Sequence, residues 1–218
     1  MLSIQILLLS FYCIACVYGD PHIVTLDGFK YTFNGLGEFV LIETSGNRFS
    51  LQGRMVQAID GEGVPISATV FSAIAGKELY SDTVQFELAN NDEVDVLVNG
   101  ELLDFDGLPE QQFNNVSVRT GESSATAVFS SGVYVEVRAA NGILSTLLVS
   151  LADSYRSQTT GLMGNYNGDM SDDLQPSDAP VPIPLTSSLM DIHNIFGVTC
   201  KSATVADADN HSQRTVIL

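Results

Sequence analysis

Residues 19–28 of this chain read Gly19-Asp20-Pro21-His22-Ile23-Val24-Thr25-Leu26-Asp27-Gly28. Because the residue before a proline is held extended, the stretch favours a turn that leads into a β-strand. Its Asp-Pro bond is also chemically labile, since the Asp20 carboxyl can attack its own carbonyl carbon and the Pro21 nitrogen has no N–H. His22 follows the bond and could shuttle a proton to it in mild acid. Asp20, Pro21 and His22 are therefore candidates for an acid-triggered self-cleavage site.

A second motif lies far downstream, where residues 161–173 bring glycines and oxygen-bearing side chains together. Glycine allows tight wrapping of the backbone. Hard oxygen ligands at this density suit Ca²⁺, whereas Zn²⁺ would require His or Cys. The spacing differs from that of an EF-hand loop, and the same residues can form ordinary Asx turns without an ion. The candidate ligands are Asn165, Asn167, Asp172 and Asp173, with Asp169 as a second choice.

The two motifs, in this order, resemble those of the von Willebrand factor type D domain. The likeness rests on residues 16–22, on Leu26-Asp27-Gly28, and on Gly161-Leu162-Met163-Gly164-Asn165-Tyr166-Asn167-Gly168 followed by Asp172-Asp173. It covers residues 16–200 and is greatest to the cysteine-poor domains of mucin-4-like and sushi-domain-containing extracellular proteins. The resemblance implies that Asp27 joins the downstream loop in a structural Ca²⁺ site. It also implies that the Asp20-Pro21 bond is cut, as in family members that cleave themselves in the acidic secretory pathway.

The amino-terminal residues are apolar and uncharged up to Asp20. This composition is typical of a secretory signal peptide, predicted to cover residues 1–15, with a cut after Gly19 as the alternative. An uncleaved membrane anchor over Met1–Tyr18 is a further alternative. The predicted domain then covers residues 16–200, and the polar, patternless residues 201–218 are predicted to form a disordered tail.

Of the three cysteines, Cys13 falls in the leader, which leaves Cys16 and Cys200 at the two ends of the domain. In an oxidising compartment these two could form a disulfide. Two free or separately buried thiols are the alternative, because sequence does not fix their distance. Family members usually carry cysteines in the Gly-Leu-x-Gly segment, where this chain has Thr160 and Met163, and this departure argues against disulfide-linked multimers.

The chain carries 9 Lys and Arg against 26 Asp and Glu, a net charge of −17. Nucleic acid is excluded as a partner because phosphate binding needs a basic surface. Cations are favoured partners. Since hydrophobic residues make up 45% of the chain and charged residues only 16%, the acidity does not indicate disorder.

Alternating apolar residues recur along the chain, as in Phe39–Ile42, Val94–Val98 and Val133–Val137. Asn99-Gly100 and Asn141-Gly142, with Ser131-Gly132 as a weaker example, favour tight hairpin turns between such runs. The pattern predicts an all-β fold of two packed antiparallel sheets.

Towards the carboxyl end, Pro176, Pro180, Pro182 and Pro184 predict an extended surface connection. Residues 186–188 could then cap a short helix that ends near Gly197. His193 in this helix is interpreted as a packed or surface residue.

No Ser-His-Asp or Cys-His arrangement with a recognisable elbow occurs, so no enzymatic turnover is predicted. Asn115 and Asn210 begin N-glycosylation sequons. Together the sequence predicts a secreted, calcium-stabilised module that contacts extracellular proteins or glycoproteins in adhesion, matrix or mucin-like assemblies. An acid-triggered autoprocessing protein and a membrane-tethered surface protein are the alternatives.

Overall fold

The structure, a computed structural model, describes residues 14–202. In this range the chain folds into two antiparallel β-sheets, followed by one short helix at the carboxyl end. The predicted all-β sandwich with a short carboxyl-terminal helix is therefore confirmed.

The first sheet contains eight strands. They are β1 (Ile14–Tyr18), β2 (His22–Val24), β3 (Lys30–Thr32), β10 (Glu110–Phe113), β11 (Val116–Thr120), β12 (Ser124–Phe129), β13 (Tyr134–Ala140) and β14 (Ile143–Ser150). Their order across the sheet is β10-β11-β12-β13-β14-β1-β2-β3. The amino-terminal strand thus closes against the last long strand of the sheet.

The second sheet contains seven strands. They are β4 (Gly37–Thr44), β5 (Phe49–Ile59), β6 (Pro65–Glu78), β7 (Val84–Leu88), β8 (Val94–Val98), β9 (Glu101–Leu102) and β15 (Thr159–Thr160). Their order is β15-β4-β5-β6-β7-β8-β9. Strands β4 to β9 follow one another in sequence order across this sheet. Strand β15 is the exception, because it follows β14 of the first sheet in sequence but pairs with β4.

The predicted hairpin turns occur where both central residues adopt positive φ. Asn99 and Gly100 have φ of 52° and 84° between β8 and β9, and Asn141 and Gly142 have φ of 56° and 75° between β13 and β14. Asn and Gly tolerate this backbone region better than other residues. At Ser131-Gly132 only Gly132 has a positive φ, of 89°, in agreement with the weaker signal there.

The two inner faces form one hydrophobic core. Phe49 of β5 and Phe129 of β12 meet edge to face across it, with ring centroids 5.4 Å apart. Val135 and Val137 are buried as the alternation predicts, but Leu41 and Ile42 are adjacent and both fully buried. The reason is a β-bulge between Val40 and Ile42, which interrupts the alternation of faces along β4.

Strand β1 is an interior strand of the first sheet. It pairs with β14 on one side and with β2 on the other, and Ala15 and Val17 are buried at 0% and 2% exposure. The two predicted signal cuts have unequal consequences for this strand. A cut after Ala15 would leave Cys16–Tyr18 in the sheet, whereas a cut after Gly19 would remove all of β1.

The predicted membrane anchor over Met1–Tyr18 overlaps this strand, because Ile14–Tyr18 form β1, and its remaining residues lie outside the described range. No helix within residues 14–202 has both the length and the apolar character to cross a membrane.

The proline-containing segment is an irregular connection, and the helix follows as three continuous pieces. They are α-helical Leu189–Asp191, π-helical Ile192–Phe196 and 3₁₀-helical Gly197–Cys200. The Ser188 hydroxyl accepts a hydrogen bond from the Asp191 N–H, which is the predicted cap. Residues 201 and 202 fall in the predicted tail but contact the domain, since Lys201 bridges to Phe39 and the Ser202 N–H donates to the Glu38 carbonyl. Residues 203–218 lie outside the described range.

The position of β1 predicts the result of an amino-terminal truncation. A chain that begins at Asp20 should be less stable than one that begins at Ile14 by at least about 3 kcal/mol, because it loses the buried Val17 and the ladders to two strands. Urea unfolding followed by circular dichroism measures this difference. Equal stability of the two chains would show that β1 is dispensable.

Candidate functional site

The segment around residues 159–163 lies on the outer edge of β4. Thr159 and Thr160 pair with Thr44 and Glu43, and the N–H groups of Leu162 and Met163 donate to the carbonyls of Val40 and Leu41. Gly161 has φ of 111°, and a Cβ there would lie 2.7 Å from the Leu41 carbonyl oxygen. Only glycine therefore allows this close approach to β4.

The first sheet contacts the same segment from its opposite side. The Leu26 N–H donates to the Met163 carbonyl over 2.9 Å, and the Tyr31 hydroxyl donates to the Leu162 carbonyl over 2.5 Å. Tyr31 is buried, and burial, followed by the nearby Cys200 and Asp173, raises the pKa of its hydroxyl well above the usual range. The segment therefore joins the edge of one sheet to the edge of the other.

Asp27 holds the loop that follows this segment. Its two carboxylate oxygens accept hydrogen bonds from the backbone N–H groups of Asn167 and Gly168, over 2.9 Å and 2.8 Å. The structure thus brings Asp27 to the Asn165–Asp173 loop, across more than a hundred residues of sequence.

Asp173 lies beneath this loop and is 2% exposed. Its carboxylate accepts a 2.5 Å hydrogen bond from the Thr25 hydroxyl and a longer one from the Asn165 N–H. Burial and the nearby charge of Asp27 raise the pKa of Asp173 to about 6, against the hydrogen bond from Thr25. Gly164, at φ of 83°, leaves the room that this carboxylate occupies.

The other predicted ligands form hydrogen bonds within the loop. The Asp172 carboxylate accepts from the side-chain amides of Asn165, over 2.7 Å, and Asn167, over 2.9 Å. Asp169 accepts from the Ser171 N–H, and hydrogen bonds from the Ser171 side chain, followed by this N–H, lower the pKa of the Asp169 carboxyl. This is the Asx-turn chemistry that the sequence left open as the alternative.

The residues fit a Ca²⁺ ion in charge and donor type. Asp27 is close enough for its charge to raise the pKa of Asp173, and none of Asp27, Asp172 and Asp173 forms a salt bridge within the described chain. Across residues 14–202, no three His, Cys, Asp or Glu side chains group as metal ligands. A Ca²⁺ ion would therefore need amide or backbone oxygens besides the carboxylates to reach its usual six to eight ligands.

The Asp20-Pro21 bond lies in the short turn between β1 and β2, which pair through Tyr18 and His22. Gly19 enters the turn with φ of 61°, Asp20 is exposed and Pro21 is buried. The His22 Nδ1 atom lies 2.8 Å from the Thr32 hydroxyl, so the side chain is engaged with β3. The three cleavage candidates therefore lie next to one another where the turn leads from β1 into β2.

The two cysteines do not agree with the predicted disulfide. Both are free in the structure. Cys16 lies on β1 between the inward-facing Ala15 and Val17, so its side chain is on the opposite, partly exposed face of the sheet. Cys200 belongs to the core, where burial raises the pKa of its thiol to about 12.

The remaining candidates are the two glycosylation positions and His193. Asn115 is exposed in the turn between β10 and β11, and its side-chain amide donates to the Tyr80 carbonyl. Asn210 lies outside the described range. His193 stacks on Phe33 with ring centroids 5.4 Å apart, consistent with its interpretation as a packed residue.

Sequence reasoning missed Thr25 and Tyr31 as parts of this site. Thr25 lies two residues before Asp27 in the sequence, and this spacing could have indicated that its hydroxyl reaches the site. For Tyr31 no signal was available, because its bond goes to a backbone carbonyl.

Comparison with known proteins supports this reading of the fold. Residues 15–179 match the model of the von Willebrand factor type D domain. Sushi domain-containing protein 2 of Homo sapiens is 33% identical over 195 residues, which are 83% of this chain and 23% of that protein. Mucin-4 of Homo sapiens is 36% identical over 200 residues, 85% of this chain and 4% of that protein. Protein mesh of Bombyx mori is 32% identical over 197 residues, 84% of this chain and 12% of that protein.

The fold and the joined motifs define an all-β module in which Asp27 holds the Asn165–Asp173 loop. The chain belongs to the von Willebrand factor type D domain family. Its relatives include the mucin-4 proteins of Homo sapiens and Rattus norvegicus. The chain spans less than a quarter of the length of the relatives it matches.

The buried Asp173 carboxyl predicts that the difference in stability between the parent protein and Asp173→Asn depends on pH. Because the folded state raises the pKa of Asp173 to about 6, the folded protein binds more protons than the unfolded chain between about pH 4 and 6. This contribution therefore lowers stability as the pH rises. In chelator, the stability of Asp173→Asn relative to the parent should increase by about 2 kcal/mol from pH 4 to pH 7, after allowance for solvent screening.

Urea unfolding at several pH values measures this change. Asp178→Asn, at an exposed position, is the matched control and should follow the parent at every pH. An Asp173→Asn curve parallel to the parent curve would contradict a proton-binding role for Asp173.

Proposed function

We propose that this chain is a secreted, non-enzymatic module that is stabilised by Ca²⁺ and works through contacts with other extracellular proteins in adhesive, matrix or mucin-like assemblies. The observation that supports it best is the buried Asp173 carboxyl beside Asp27, with no basic side chain in a salt bridge to either. A divalent cation would neutralise this pair. Family membership supports the extracellular part of the proposal.

In this proposal Asp27 and Asp173 are the principal Ca²⁺ ligands, and Asn165, Asn167 and Asp172 complete the site. The bound ion would supply positive charge where the two sheet edges meet. Its effect is on stability, and the chain's own hydrogen bonds position the loop.

The calcium site predicts a thermal shift that depends on Asp27. At a hundredfold excess over the dissociation constant, Ca²⁺ should stabilise the protein by about 2.7 kcal/mol, and chelator should reverse the effect. Asp27→Asn should abolish the shift, whereas Asp169→Asn should retain it if Asp169 is only a turn residue. A melting temperature that is the same in saturating Ca²⁺ and in chelator would exclude the site.

A second function, acid-triggered autoprocessing, is favoured by the position of Asp20-Pro21 in a tight turn between two paired strands. A cut there breaks the chain between β1 and β2, but β1 remains paired to both β14 and β2. Cleavage therefore leaves the amino-terminal piece bound by its two ladders. In this proposal the cut prepares a strand for later release, and its products stay together under native conditions.

Amino-terminal sequencing of secreted protein, before and after incubation at pH 5, tests secretion and self-cleavage at Asp20-Pro21 separately. We expect a start at Cys16 in fresh material and a second start at Pro21 after acid, with Asp20→Ala giving only the first. Failure of the chain to reach the medium would contradict secretion. Secreted protein whose Asp20-Pro21 bond stays intact in acid would contradict autoprocessing and leave the extracellular proposal standing.

A further inference from the structure

The hairpin of β5 and β6 extends beyond the strands on either side of it. Pairing between β5 and β6 continues to Ile59 and Pro65. In contrast, β4 leaves β5 at Met55, and β7 leaves β6 at Ala73. Residues 56–72, which we term the arm, therefore have outer edges without a paired strand among residues 14–202.

On the β6 side of the arm, one side chain occupies the open edge. The Thr69 N–H, directed away from β5, donates to the Asn34 Oδ1 atom over 3.1 Å, and the Thr69 hydroxyl lies 3.3 Å from the same oxygen. Asn34 thus takes the place that a neighbouring strand would take. An unpaired edge of this kind is a template for addition of an extended peptide.

A cleft adjoins this edge, because Asn34 also lines it. The cleft, of about 340 Å³, lies between the end of β3 and the carboxyl-terminal helix, and its other lining residues are Thr32, Leu189, Met190, His193 and Asn194. Leu189 and Met190 are 59% and 72% exposed, and the buried His193 Nδ1 atom has no hydrogen-bond partner among the described residues. Strand addition obtains affinity from backbone hydrogen bonds and specificity from such pockets.

Acidic side chains outnumber basic ones in the segments that form the edge and the cleft. Residues 55–76 contain Asp60 and Glu62 but no Lys or Arg, and residues 186–200 contain Asp191 but no Lys or Arg. The whole chain has a net charge of −17. Charge complementarity therefore favours a basic occupant and disfavours a second copy of this acidic chain.

We propose that the β6 edge at Thr69 and the adjoining cleft dock an extended, basic segment of another extracellular protein. The segment pairs with β6 in place of Asn34 and inserts an apolar side chain beside Met190. This inference rests on the proposed function, which supplies the extracellular partner.

A displayed library of random ten-residue peptides, selected on the full chain, tests the site directly. We expect enrichment of sequences in which apolar residues alternate with Lys or Arg. Met190→Arg should weaken binding of the selected peptide at least tenfold, and Leu108→Arg, at another exposed position, between β9 and β10, should leave its binding unchanged. Asn34→Ala removes the competing acceptor and should strengthen binding about fivefold.

N-methylation of the peptide on alternate residues separates strand addition from simple insertion, because it removes the donors of one peptide edge. Methylation on the pairing edge should abolish binding. Three results would overturn the proposal. The first is that the selection yields no basic sequences whose binding is weakened by Met190→Arg. The second is that both N-methylated forms of the peptide bind equally well. The third is that a synthetic copy of residues 203–218, or self-association of the chain, displaces the peptide. Because the assay uses purified protein, its failure is separate from any failure of secretion.

Discussion

The contact between the edges of the two sheets depends on residues 159–173, which are hydrogen-bonded to both. One side of the segment bonds to the backbone of β4, and the other bonds to Leu26, Asp27 and Tyr31 of the first sheet. Most of these bonds involve backbone groups, which are costly to leave unpaired once buried. The carboxylates of Asp27 and Asp173 thus sit where the sheet edges meet, and their mutual repulsion is the cost of this arrangement at neutral pH.

This geometry gives a structural meaning to the two family motifs. The first supplies the β1–β2 turn and Asp27, and the second supplies the glycines that let the chain pass close to β4 and around Asp173. An ion that binds between them would stabilise the contact of the sheets. A cut at Asp20-Pro21 would act elsewhere, on the attachment of β1, so the two proposed properties are mechanically separate.

The sequence predicted those features that arise from local backbone chemistry. Asn-Gly at residues 99–100 and 141–142 requires positive φ at both positions, and Ser188 caps the helix through its own hydroxyl. The proximity of Asp27 to residues 165–173 came from the family resemblance, since no local rule joins positions so distant. The disulfide that the sequence offered between Cys16 and Cys200 could not be judged from the sequence. The alternation that buries Ala15 and Val17 places Cys16 on the opposite face of the sheet, while Cys200 lies in the core. The unpaired edges of the arm and the Asn34 contact depend on the relative lengths of the strands, which the sequence pattern did not predict.

Native-state hydrogen exchange of the Asn167 and Gly168 amides tests the central contact most directly. Both residues are exposed in the loop. The Gly168 N–H donates to Asp27, whereas the Asn167 N–H donates both to Asp27 and to the Asn165 Oδ1 atom, so the Gly168 amide depends more strongly on Asp27 for its protection from exchange. We predict slow exchange at both amides in the parent and, in Asp27→Ala, a marked acceleration that is larger at Gly168 than at Asn167, with the amides of β12 and β13 unchanged. Fast exchange at these amides in the parent would contradict the account.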